Sequence, residues 1–140
     1  MKAGYTPRKL LAVLLTSLLF SCSENIDKPL NISRVATQEL GVQLKDTLKS
    51  SIKSNGPVDA ITACNVEAEK IANTVSNSND VKVGRTSLKV RNSSNTPDSW
   101  EREKLIYLEQ KILSGVNAKG LEVYEVTKEN NEKWFRYMQA

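Results

Sequence analysis

The 140-residue sequence contains no histidine. That absence removes the Ser-His and Cys-His nucleophile pairs, histidine-bearing zinc sites and the side chain that titrates nearest neutrality. Cysteine is almost as scarce, with only Cys22 and Cys64. Nothing repeats internally, and no apolar run reaches the roughly 20 residues needed to cross a bilayer as a helix. Net charge is also largely missing once its source is located. The chain has 20 Lys and Arg against 16 Asp and Glu, but Lys2, Arg8 and Lys9 stand in the first nine residues, where there is no acid. Without residues 1–21 the balance is 17 to 16, so the basic face that nucleic-acid binders carry is not expected. Carboxylates occur near arginines, but no spacing pairs a nucleophile with a base. The chain is therefore expected not to be an enzyme.

What is present begins with the leader. The basic segment "MKAGYTPRK" runs into "LLAVLLTSLLF", Leu10 to Phe20, an apolar stretch too short for a span and suited to the central region of a secretory signal. It closes on "LLFSC", which resembles the lipobox of bacterial lipoproteins, with Leu19 at −3, Ser21 at −1 and Cys22 as the residue that is diacylated. Phe20 at −2 is bulkier than that pattern usually has. The expectation is an exported protein with a signal peptide over 1–21 and a lipidated tether over 22–32. A single domain over 33–140 follows, held by lipid to a bacterial membrane and facing the periplasm or the cell exterior. With Cys22 acylated, Cys64 is unpaired in an oxidising compartment, and an internal disulfide is ruled out.

The domain reads as α+β. From about Ser33, Val35, Ala36, Leu40, Leu44, Leu48 and Ile52 recur at helical spacing. "SNGP" at 54–57 breaks the pattern, because Asn55 or Gly56 can take positive φ and proline cannot continue a helix. Pro57 opens a second helix with Ile61, Cys64, Ala68, Ile71, Ala72 and Val75 on its inner face. "SNSND", 76–80, reads as a loop. "VKV" at 81–83 and "LKV" at 88–90 alternate like strands in opposite phase, which a bulge near Gly84 to Ser87 would explain. Thr96 as N-cap and Pro97 as first helical residue start a third helix with the stripe Trp100, Leu105, Leu108 and Ile112, closed by "SG" at 114–115. "LEVYEV" (121–126) and "KWFRYM" (133–138), joined by "TKENNE", read as an antiparallel hairpin.

The order "AITAC" on a helix, then "VGRTSLKVRNSSNTPDSWE", then a helix with "LxxLE" and a hairpin ending "FRYM", resembles the PAS-like c-type haem sensor domains of exported bacterial proteins, long labelled a domain of unknown function. The similarity runs from about Gln38 to Met138. Its most specific part is Arg85-Thr86-Ser87, Arg91-Asn92, Asn95, Pro97-Asp98 and Trp100-Glu101. The resemblance implies N-terminal helices packed on a PAS-like antiparallel sheet. It also implies a haem attached through a Cys-x-x-Cys-His motif soon after the "FRYM" strand, with Cys64 as the opposite axial iron ligand. This chain has neither Cys-x-x-Cys nor histidine before Ala140. The expectation is therefore an incomplete sheet in a truncated copy, or a divergent member without c-type haem.

Individual residues keep more than one reading. Cys64 is a small buried hydrophobe, a thiolate ligand of haem iron, or a redox-reactive thiol. Arg85 and Arg91 offer planar forks of donors for a carboxylate such as a haem propionate, or tie their loop to Asp98, Glu101 or backbone carbonyls. Trp100 is a core or pocket wall. The candidate cofactor-binding set is thus Cys64, Arg85, Arg91 and Trp100, with Cys64 the metal candidate. The expected role is sensory or redox signalling, with a signalling protein as partner besides the membrane. The competing role is a haem-free module that binds a small molecule or a partner peptide.

Overall fold

A computed structural model describes residues 25–140, and for Asn55 and residues 57–65 it describes the backbone alone. Two helices, a 3-10 turn and two strands follow in order: α1 (Asp27–Asn79), the 3-10 turn Ser93–Asn95, α2 (Ser99–Leu113), β1 (Glu122–Glu129) and β2 (Glu132–Gln139). The class is α+β, as the sequence predicts, with helices packed against an antiparallel hairpin. The hairpin is the whole sheet among the described residues, so each strand has one free edge.

The expected break between two helices falls at Gly56, which stands inside α1 at φ 80° and ψ 173°. Only glycine adopts that region without strain. Gly56 divides α1 into two arms that fold back on each other: Asn79 Nδ2 donates to Glu39 Oε2 at 2.9 Å across 40 residues. A straight helix would hold those residues about 60 Å apart. Ala36, Leu40 and Val75 form the buried centre between the arms, with Leu44, Ile71, Ala72, Val81 and Val83 packed around it. Of the stripe that spacing identified, Ala36, Leu40 and Leu44 lie in the seam of this helical hairpin, whereas Val35, Leu48 and Ile52 are exposed.

Both ends of α1 differ from the sequence reading. The helix starts at Asp27, not near Ser33. Leu30 is buried, so this first turn packs as part of the domain. At the far end "SNSN" stays helical, and its polar side chains are satisfied by bonding back along the helix. Ser76 Oγ donates to Ala72 O at 2.7 Å, Ser78 Oγ to Thr74 O at 3.0 Å, and Asn79 Nδ2 also to Val75 O at 2.9 Å. Asp80 ends it in the left-handed region.

The strands expected at 81–83 and 88–90 do not form, and with no ladder there is no bulge. The donors of this segment find partners on α1. Val81 N–H reaches Ser76 O at 3.1 Å and Val83 N–H reaches Ser76 Oγ at 3.0 Å. Val81 and Val83 thus face the helical core by lying along α1, which gives the alternation without a sheet. The start of α2 is also shifted. Its N-cap is Asp98, whose carboxylate accepts from Glu101 N–H at 2.8 Å while Glu101 Oε2 accepts from Asp98 N–H at 3.0 Å, a capping box. Thr96 instead closes the preceding 3-10 turn, bonding Ser93 O through both its N–H and its hydroxyl.

The hairpin runs further toward its tip than the sequence suggests. Only Asn130 and Asn131 make the turn, both at positive φ, as a two-residue connection of right-twisted strands requires. Register pairs Glu122 with Gln139, Tyr124 with Tyr137, Glu125 with Arg136 and Val126 with Phe135. Alternation therefore puts Glu122, Tyr124, Val126, Phe135 and Tyr137 on one face, and Glu125, Trp134, Arg136 and Met138 on the other.

Candidate functional site

The first of these faces meets the N-terminal arm of α1 at the base of the hairpin. Arg34 forms a two-pronged ion pair with Glu122, Nε donating to Oε2 at 3.1 Å and Nη2 to Oε1. Tyr137 donates its hydroxyl to Glu122 Oε2 at 2.8 Å. Between helix and hairpin lies an open groove of about 480 Å³ lined by Arg34, Thr37, Gln38, Gly41, Glu122, Tyr137, Gln139 and Ala140. Above it Tyr124 and Phe135 stack, with ring centroids 5.9 Å apart. A guanidinium, a carboxylate, a phenol and an aromatic pair thus converge on one partly open surface. Such a surface can orient a small polar or planar ligand, and it holds no nucleophile–base pair.

Charge shifts follow from these contacts. The Arg34 bond holds the Glu122 carboxyl below its usual range, against the opposing effect of burial and with help from Tyr137. Burial, reinforced by the Glu122 carboxylate, pushes the Tyr137 phenol from 10.0 up to about 12. A raised folded value stabilises the fold fully below the unfolded pKa and stops doing so as pH rises through the folded one. Stability is therefore expected to fall between pH 10 and 12 in the parent protein. Tyr137→Phe removes that component: thermal melts across this range then decline less than the parent's, and an unchanged decline would refute the linkage.

The opposite face of the hairpin meets the start of α2. Arg136 is the hub: its Nη2 pairs with Asp98 at 2.6 Å and lies 3.8 Å from Glu101, its Nη1 is 3.5 Å from Glu129, and its guanidinium stacks 4.4 Å from the Trp100 ring. Trp100 Nε1 donates to Glu125 Oε2 at 3.0 Å, and Lys104 bridges Glu125 and Glu103. The Trp100 bond, then Lys104, hold Glu125 below the usual carboxylate range. Burial pushes Asp98 upward, but the Glu101 N–H and Arg136 outweigh it and leave Asp98 lowered. Thr86 joins the loop to this network at 3.4 Å from both Asn95 O and Glu101 Oε2.

Of the residues predicted as a cofactor site, the side chains of Arg85, Arg91 and Trp100 are among the described residues. Trp100 stands half-buried in the α2 network, on the far side of the hairpin from the groove. Arg85 and Arg91 lie exposed on the loop, and neither makes a hydrogen bond or ion pair among the described residues. The tie to Asp98 and Glu101 that the sequence suggested for them is made by Arg136. Cys64 has its backbone in α1, and its side chain lies outside the described residues, as does all of Cys22. Arg34 and Arg136 escaped the sequence reading. Alternation in "KWFRYM" set Arg136 on the face of Trp134 and Met138, which was a usable signal. Arg34 lies beside the apolar stripe of α1 and its partner is 88 residues away.

The residues present do not fit a covalently attached haem. The chain supplies no histidine and no Cys-x-x-Cys. Arg85, Arg91 and Trp100 do not line the groove between α1 and the hairpin. A family model described as Tll0287-like matches residues 16–140. No curated protein matches the chain, and no solved structure does.

Proposed function

The chain belongs to the Tll0287-like family, and we propose that it acts as a lipid-anchored, extracytoplasmic sensory or redox-signalling domain. The observation that carries this reading is the open groove between α1 and the hairpin, where Arg34, Glu122 and Tyr137 meet beside the stacked Tyr124 and Phe135. A sensor needs a surface that takes up a ligand without turning it over, and this one offers directional donors and acceptors with no catalytic pair. The leader and the "LLFSC" boundary support export and acylation at Cys22. The signalling partner would be a protein at the same membrane.

A second reading, a haem-free module that binds a small molecule or peptide, is favoured by the polar groups of Arg34, Glu122 and Tyr137 at the open groove. Acylation is tested with the full chain expressed in a bacterium. Mass spectrometry is expected to find diacylated Cys22 as the N-terminus, with the protein in the membrane fraction. Cys22→Ser is expected to abolish both, and membrane retention without acylation would sink the lipoprotein reading. Ligand screening by thermal shift then separates the two functions. A small-molecule or peptide hit that is lost in Arg34→Gln supports the binding module. A response to oxidants lost in Cys64→Ala supports redox signalling.

A further inference from the structure

Most exposed apolar side chains in this protein are scattered, but one group is continuous in sequence and free of acid. From Lys111 to Leu121 the chain reads "KILSGVNAKGL", with two lysines and no carboxylate. Leu113 is 81% exposed, the most open of the large apolar side chains described, and Ile112 and Val116 are exposed beside it. Lys111 and Lys119 are exposed too. One turn earlier Tyr107 is exposed under the Lys111 ammonium, 5.4 Å from the ring centroid.

The segment is held in shape by its own bonds. Val116 N–H reaches Lys111 O at 3.0 Å, Gly115 N–H reaches Ile112 O at 2.9 Å, and Lys119 N–H reaches Asn117 Oδ1 at 2.8 Å. Gly115 and Gly120 supply the positive φ at its two corners. Leu113 and Val116 are thus presented by a closed turn, and no ordering of the backbone is required for them to enter another phase.

Its place in the fold identifies that phase. The turn leads into Glu122 at the base of the hairpin, where Ala140 N–H bonds Leu121 O at 3.0 Å and Glu122 pairs with Arg34. Arg34 is about 10 Å along α1 from Asp27. Asp27 in turn is five residues from Cys22, a reach of at most about 18 Å even if fully extended. The end of the molecule that carries the exposed turn is therefore the end tied to the lipid.

We propose that the turn 111–121 and the neighbouring Tyr107, through Tyr107, Lys111, Leu113, Val116 and Lys119, form a docking surface for an anionic lipid bilayer and set the orientation of the domain on it. Apolar side chains flanked by lysine and an aromatic ring suit the headgroup boundary, where the apolar atoms leave water and the ammonium groups meet lipid phosphates. The orientation holds the base of the groove close to the membrane and the Gly56 turn away from it. The positional argument rests on acylation of Cys22; the composition of the turn does not.

The test uses the full chain in vesicles of phosphatidylcholine and phosphatidylglycerol carrying brominated acyl chains. Leu113→Trp serves as reporter and Lys49→Trp as reference, with the parent's tryptophan signal subtracted. The Leu113→Trp signal is expected to be quenched at least about twofold more than the reference. The excess is expected to shrink when Lys111→Gln and Lys119→Gln are added or when phosphatidylglycerol is omitted. Quenching no stronger than the reference in acylated protein overturns the surface and leaves the anchor standing. Excess quenching in protein whose Cys22 proves unacylated keeps the surface and discards the anchor. A reporter buried in solution without vesicles, in a concentration-dependent manner, would assign the patch to a second copy and overturn the proposal.

Discussion

Leu40→Ala is expected to lower the unfolding free energy by about 3 kcal/mol, the middle of the range for emptying a buried leucine site. Leu40 is 4% exposed and sits with Ala36 and the fully buried Val75 at the seam of the helical hairpin. Both of those neighbours are small, so little side-chain mass is available to collapse into the space. The arms are joined at Gly56 and clasped by Asn79 and Glu39, which limits how far they can approach each other. Urea denaturation followed by circular dichroism reads the change as a lower midpoint at unchanged slope. A loss below about 1 kcal/mol would mean that the seam is not the centre of stability.

Arg136→Met is expected to cost about 1–2 kcal/mol, the scale of a lost charge-assisted bond whose carboxylate partners stay open to water. Methionine keeps an apolar chain over Trp100, so the measurement isolates the guanidinium. The Arg136 side chain is 17% exposed, whereas Asp98 and Glu129 are more than half exposed and can regain water when the partner goes. That asymmetry holds the loss below that of a buried ion pair. Its signature is ionic: the deficit is expected to shrink at low pH, once Asp98 is protonated. The lowered Asp98 pKa gives the sign, because its stabilisation is present above the ordinary carboxylate range and is lost as pH falls through the folded value. Equal deficits at pH 7 and at pH 3 would show that Arg136 acts by packing alone.

The helical seam and the hairpin were legible in the sequence because their signals are local. Ala36, Leu40 and Leu44 share a period that only a helix satisfies, and two amphipathic runs around "ENNE" leave little but a hairpin. The misread parts all turn on where a polar group finds its partner. "VKV" alternates because Val81 and Val83 face α1, and alternation does not say whether the partner is a strand or a helix. "SNSN" lacks apolar residues yet remains helical, with side chains bonded to carbonyls four residues back. Thr96 and Asp98 are both good caps, and the choice fell to Asp98, which has Glu101 three residues on. The groove was invisible for a further reason. Arg34, Glu122 and Tyr137 come from elements far apart in sequence, and no spacing rule brings them together.

The ion pair between Arg34 and Glu122 closes a loop of 88 residues. Joining the ends of so long a segment costs roughly 4 kcal/mol in chain entropy beyond a constant term. A surface pair with Arg34 half exposed returns far less than that, because water screens it. The pair therefore cannot draw the two halves of the molecule together; it registers that they have met. During folding the β-hairpin needs only neighbouring residues and closes in about 1–10 μs, whereas the helical arms must bring together residues 40 positions apart. Docking comes afterwards, driven by side chains such as Leu30 and Met138 that lose water when the halves join. The groove is lined by residues of both halves, so it exists only once they have docked.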